Sequence, residues 1–160
     1  MLRPDCNVQR DATSREYSYY ILDGAEGSAI WRKYSCPSPG KLDLKAMNAA
    51  CSLLLGEHDF VSFTSKLEPE MTNTVRTVYE ARTRRKRPVI VFQVRASSFL
   101  PHQIRHTVSA LIRVGLGKME VAGFGRLLEG KVPEAAVGTA PAQGLYLMKV
   151  NYPDSFGEVS

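Results

Sequence analysis

Cysteine is scarce in this chain, with only Cys6, Cys36 and Cys51 among 160 residues. The number is odd and no Cys-x-x-Cys pair occurs, which argues against a disulfide framework or a structural zinc site and favours a reducing compartment. Long apolar runs are missing too, so nothing approaches the length needed to span a bilayer. The opening Met1-Leu2-Arg3-Pro4-Asp5 lacks the apolar stretch of a signal peptide. Export and membrane insertion are disfavoured, and a cytoplasmic location is the expectation. There is no internal repeat, no low-complexity tract and no linker long enough to divide the chain, so residues 1–160 are expected to form one domain. Acidic residues are the minority: 21 Lys and Arg face 16 Asp and Glu, a formal charge of +5. That balance is compatible with a polyanionic partner without specifying one.

What is present reads as alternating strands and helices. Glu16 to Leu22 alternates Tyr17, Tyr19 and Ile21 on one face with Ser18, Tyr20 and Leu22 on the other, the pattern of a strand. Gly24, Gly27, Pro37, Pro39 and Gly40 make the next stretch loop around Ala29-Ile30-Trp31. Asp43 then caps an apolar series at three-and-four spacing, Leu44, Met47, Cys51, Leu54 and Leu55, and Gly56 closes it: a helix. Val75 to Arg82 and Pro88 to Ala96 read as strands of an antiparallel hairpin, joined by the basic stretch Thr83-Arg84-Arg85-Lys86-Arg87. Phe124, Leu127 and Leu128 suggest a short helix, Pro133 is placed to open another, and Gly144 to Tyr152 reads as a strand. The mixed order predicts an α+β fold, an antiparallel sheet with helices packed on one face.

The junction Ala96 to His106 is where chemistry enters. A basic strand ends there and an amphipathic helix begins, running to about Gly115-Leu116-Gly117, with Pro101 expected in its first turn. Ile104, Val108, Leu111 and Ile112 form its apolar stripe, and His102, His106, Ser109 and Arg113 are expected on the far side. At about 100° per residue Arg105 falls on the border of that stripe, beside Ile112. An arginine at the edge of a core is costly unless an anion meets it, so Arg105 calls for a carboxylate or phosphate.

Five local patterns stand in one order: Arg15-Glu16-Tyr17, Gly56-Glu57-His58-Asp59-Phe60, Thr74-Val75-Arg76-Thr77-Val78, Phe99 through Arg105, and Gly144-Leu145-Tyr146-Leu147. From roughly Asn7 to Tyr152 the chain resembles the C-terminal half of the tRNA pseudouridine synthase A family, which isomerises uridines in the anticodon stem-loop. The Gly-Arg-Thr-Asp-x-Gly-Val-His motif that carries the family's catalytic aspartate has no match. The resemblance therefore implies part of an active site, with no turnover expected from this chain by itself. It implies a pseudouridine-synthase-like fold, a redox-neutral isomerisation without metal or nucleotide cofactor, tRNA as partner, and a homodimer in which RNA touches both subunits.

Residue by residue, the resemblance makes Arg105 the basic partner of the aspartate and Tyr17 the tyrosine that packs against the target base. It makes Leu145 the apolar residue closing the pocket, and puts His58, Asp59 and Phe60 near the RNA-binding cleft. His102, read from its place on the helix and not from the resemblance, is an RNA contact or part of a solvated face. Arg82, Arg84, Arg85, Lys86 and Arg87, crowding the expected hairpin tip, are either a solvated turn or a contact for RNA phosphates. Two other readings stand beside this one. One is a non-catalytic RNA-binding or assembly module that keeps the fold. The other is a metal-dependent hydrolase built on His58, Asp59, His102 and His106, weakened because no Glu follows His102 as a general base.

Overall fold

The computed structural model describes residues 12–23, 29–64, 72–130 and 138–153. Cys6 and Pro133, with the helix expected from the latter, lie outside them. Three strands form the centre of one sheet: β1 (Ser14–Leu22), β4 (Val75–Lys86) and β5 (Val89–Ala96). β5 lies antiparallel between β1 and β4, and β3 (Gly56–Asp59) pairs with the start of β4. The other edge of β1 is shared end to end. β6 (Leu145–Asn151) runs antiparallel along Ser14–Tyr19, and the two-residue β2 (Cys36–Pro37) lies parallel to Ile21 and Leu22. Three helices, α2 (Leu44–Leu54), α3 (Gln103–Gly115) and α4 (Val121–Gly130), bury their apolar stripes in the same core as Tyr19, Ile21, Ile90, Phe92 and Val94. This is the expected α+β architecture, with one addition. The short α1 (Ala29–Tyr34) sends Trp31 to a separate cluster of Leu22, Val89 and Val91 on the sheet's other face.

Local chemistry explains the element ends. Asp43 caps α2, its carboxylate accepting the Ala46 N–H at 3.2 Å, and its own N–H donates to the Gly115 carbonyl at the end of α3. Those helices cross closely, since a Cβ on Gly115 would fall 2.7 Å from Met47 Sδ. Gly56 does not simply close α2: Leu55 is already extended, and Gly56, at φ +93°, opens β3.

Two expectations fail here. The hairpin is longer than its sequence suggested, because β4 continues through the basic stretch to Lys86 and only Arg87-Pro88 makes the turn. Asn48 of α2 helps hold that extension: its Oδ1 accepts the Thr83 N–H at 2.7 Å and hydroxyl at 3.0 Å, while its Nδ2 donates to the Thr83 carbonyl. Thr83 is consequently buried within the strand and is not part of the connection between strands. Pro101, for its part, does not enter α3. It belongs to a turn in which the Gln103 Oε1 accepts the Leu100 N–H at 2.8 Å, and its carbonyl takes the Thr64 hydroxyl at 2.8 Å. The helix begins only at Gln103, and His102 before it adopts a left-handed φ of 60°.

Candidate active site

One end of the sheet opens into a cleft of about 480 Å³, whose walls include Tyr17, Phe99, His102, Arg105, Ala142 and Leu145. Three separate stretches of sequence meet there. Tyr17 comes from β1, where a bulge in β6 leaves Met148 without a partner between Lys149 and Leu147. Such an irregularity bends a strand and re-aims its neighbours. The Tyr17 ring stands edge-on to Phe99, with centroids 5.3 Å apart. Phe99 comes from the turn after β5 and Arg105 from the first turn of α3. Leu145 is the half-buried first residue of β6.

Arg105 is half-buried at the cleft wall, as its position on the helical border suggested. Its Nε donates to the Ala140 carbonyl at 2.7 Å, and its carbonyl accepts the Ala140 N–H at 3.0 Å. Among the described residues no carboxylate pairs with the guanidinium. Behind Tyr17 lies Tyr19, fully buried, whose hydroxyl donates to the Pro141 carbonyl at 2.6 Å. Burial, reinforced by the Cys36 thiol beside it, pushes that phenol far above its usual range, and the nearby Arg105 only partly offsets this. Tyr19 is thus a fixed donor at neutral pH. Burial also raises the Cys36 thiol and pushes Cys51 up to about 12, so neither is a ready nucleophile.

His102 sits exposed at the rim in its left-handed conformation, a geometry costing about 1–3 kcal/mol for a residue with a Cβ. His106 departs from expectation. It is buried, because the stretch 138–140 folds over it and Gly138 offers its carbonyl to Nδ1 at 2.8 Å. The two histidines therefore do not share a solvated face. His58, Asp59 and Phe60 are away from the cleft walls. The His58 Nε2 donates to the Leu55 carbonyl, and Asp59 accepts from the Val61 N–H and the Thr74 hydroxyl. Phe60 lies in the core against Phe63. The four side chains of the hydrolase reading are not gathered, and no group of three possible metal ligands occurs among the described residues.

The basic stretch divides by strand alternation. Arg85 faces the helices, pairing with Asp23 and donating to the Leu42 carbonyl at 3.2 Å. Arg82, Arg84 and Lys86 are exposed on the opposite face, and Arg87 is exposed in the turn. Reasoning from sequence missed Tyr19, Gln103 and the stretch 138–142 as parts of this site. The last has no periodicity to betray it, and only the small residues up to Gly144 hint at close packing.

A family model described as tRNA pseudouridine synthase matches residues 50–153. The chain is 37% identical over 154 residues to tRNA pseudouridine synthase A of Roseiflexus sp. (strain RS-1), covering 94% of this chain and 56% of that protein. It is 41% identical over 141 residues to the Thermotoga maritima protein of the same name, covering 88% and 57%, and 37% identical over 150 residues to that of Geobacillus kaustophilus, covering 94% and 58%. The chain spans a little over half the length of these relatives. The cleft, the ordered motifs and these matches lead to one assignment: the chain belongs to the tRNA pseudouridine synthase family.

Proposed function

We propose that this chain supplies the C-terminal half of an active site that converts uridine to pseudouridine in the anticodon stem-loop of tRNA. The observation that carries this reading is the meeting of Tyr17, Arg105 and Leu145 in one cleft, although they are far apart in sequence. The reaction breaks the C1′–N1 bond, turns the base and joins C5 to C1′; a proton leaves C5 and N1 gains one, so no electrons are exchanged. A carboxylate must stay ionised in a water-poor pocket, and a fixed cation lowers the cost of that. Arg105 is that cation, with its Nε already engaged and its terminal amino groups available. The aspartate comes from polypeptide outside this sequence. Among the described residues the outer edge of β6 has no partner strand, and Leu147 and Met148 on it are exposed. Both features support that arrangement, because open apolar edges are surfaces that further polypeptide covers.

In this reading the target base leaves its stack and packs against the Tyr17 ring, with Leu145 closing the pocket and His102 touching RNA at the rim. A homodimer in the cytoplasm, with RNA spanning both subunits, completes the proposal. The direct test joins this chain to its nucleophile-bearing half and assays a tRNA transcript for pseudouridine. Product is expected with the native Tyr17 and a slower single-turnover rate with Tyr17→Phe. A folded, tRNA-binding protein that leaves every uridine unchanged would reduce it to a binding module.

The outer face of β4 is the proposed track for RNA phosphates. Arg82→Gln, Arg84→Gln and Lys86→Gln together should flatten the dependence of tRNA affinity on salt, by about one unit of log–log slope for each phosphate no longer neutralised. Arg85→Gln should leave that slope alone and weaken the fold, since its guanidinium already serves Asp23 and Leu42. An unchanged slope in the triple variant restricts these charges to keeping a strand soluble.

A further inference from the structure

The stretch Gly138–Pro141 has no helix or strand of its own, yet it carries the carbonyl that holds Arg105 and leads to Ala142 in the cleft wall. Its consecutive residues are tied down by side chains from elsewhere. The Gly138 carbonyl lies 2.8 Å from His106 Nδ1. A carbonyl can only accept, so Nδ1 carries a proton, and the Thr139 hydroxyl lies 3.5 Å from Nε2. The Ala140 carbonyl receives Arg105 Nε, and the Pro141 carbonyl receives the Tyr19 hydroxyl. His106 itself is buried and does not line the cleft.

We propose that His106 is a positioning residue for Arg105, acting through the Gly138–Ala140 backbone. A guanidinium is planar, so holding its Nε–H on one carbonyl sets the plane in which the terminal amino groups point. That carbonyl is only as fixed as the stretch that bears it. Gly138 sits at φ +72° and is exposed with Thr139, so the local sequence gives little stiffness and water readily satisfies their polar groups. The imidazole anchors this stretch to α3 one residue beyond the arginine. Without that anchor the Ala140 carbonyl moves and the guanidinium regains its rotamers. The catalytic consequence rests on Arg105 being the active-site cation; the anchoring does not.

The experiment has two arms. In the first, solvent exchange of the Arg105 Nε–H is followed by nitrogen-15 NMR in this chain. Exchange should quicken at least about tenfold in His106→Leu, once the hydrogen bond to Ala140 is freed. His106→Asn places an amide nitrogen the same number of bonds from Cα as Nδ1 and should restore slow exchange. His106→Gln, whose nitrogen reaches the Nε2 position instead, should not. Unchanged exchange in His106→Leu, or equal rescue by Asn and Gln, overturns the proposal; if the Leu variant fails to fold, the Asn–Gln contrast decides.

In the second arm, the same variants are assayed beside the nucleophile-bearing half. His106→Leu should lose between about tenfold and a hundredfold in kcat, with KM within about threefold, and Asn should recover most of it. A kcat that stays at the wild-type value while exchange quickens overturns the positioning role. A wild-type protein that forms no pseudouridine sinks the proposed function instead, while the exchange measurements still decide whether His106 holds Arg105.

Discussion

Arg105→Ala, in a polypeptide that also carries the nucleophilic aspartate, is expected to cut pseudouridine formation by about a thousandfold or more, the scale seen when a preorganised electrostatic partner is removed from a water-poor site. A carboxylate stripped of its cation in such a site holds its proton more tightly, and each unit of rise in its pKa leaves about tenfold less of the reactive anion at a pH below it. The fold should survive. The arginine is only half-buried, and its loss frees one carbonyl, on Ala140, at a cost of about 1 kcal/mol. Arg105→Lys should lie between the two, keeping the charge but losing the planar Nε–H that Ala140 receives. Rates of product formation at saturating tRNA, measured beside melting temperatures, separate these effects. An alanine variant within threefold of wild type would remove Arg105 from the chemistry.

Gly144→Ala should be the most damaging small substitution in the described residues around the cleft. A Cβ there would lie 2.8 Å from two ring carbons of Tyr19 and 2.9 Å from the Tyr20 carbonyl. Neither neighbour can give way cheaply: the Tyr19 ring is fully buried and pinned by its hydroxyl, and the Tyr20 carbonyl is part of β1. Overpacking of this kind costs about 1–3 kcal/mol and occasionally more. For a chain of this size that corresponds to a fall of roughly 2–12 °C in melting temperature. Gly115→Ala makes the contrast. Its nearest neighbour at 2.7 Å is the flexible end of Met47, which can turn aside, and alanine is the better helix former. Urea denaturation of the pair should show a large loss for Gly144→Ala and a small one for Gly115→Ala. Equal stabilities would mean that the Tyr19 ring is not held as tightly as its contacts indicate.

Where a local rule and the tertiary environment agreed, the sequence was readable. Asp43 with its three-and-four apolar series did become a capped helix, and the β-branched run of β5 became the central strand. The stripe through Ile104, Val108 and Leu111 did face the core, leaving Arg105 at its margin. The departures share a cause, which is a partner distant in sequence. Arginine-rich residues after Arg82 look like a turn until Asn48 of another element satisfies the backbone of Thr83. Proline before a helix looks like its first residue until Gln103 folds back onto the Leu100 N–H. A histidine among polar helix positions looks solvated until the stretch 138–140 covers it. Of the cleft, Arg105 is marked by its place on the helical border as well as by family motifs, Tyr17 and Leu145 by the motifs alone, and Tyr19 is hidden among its aromatic neighbours.

The tie between Tyr19 and Pro141 closes a loop of 122 residues, and β6 completes the same edge of β1. Long-range closures of this sort are entropically expensive. Arg105 thus acquires its aim from a carbonyl 35 residues further along the chain, on the stretch whose end Tyr19 pins. A polypeptide that stops before Ala140 can carry every motif up to α3 and still lack the carbonyl that aligns the guanidinium.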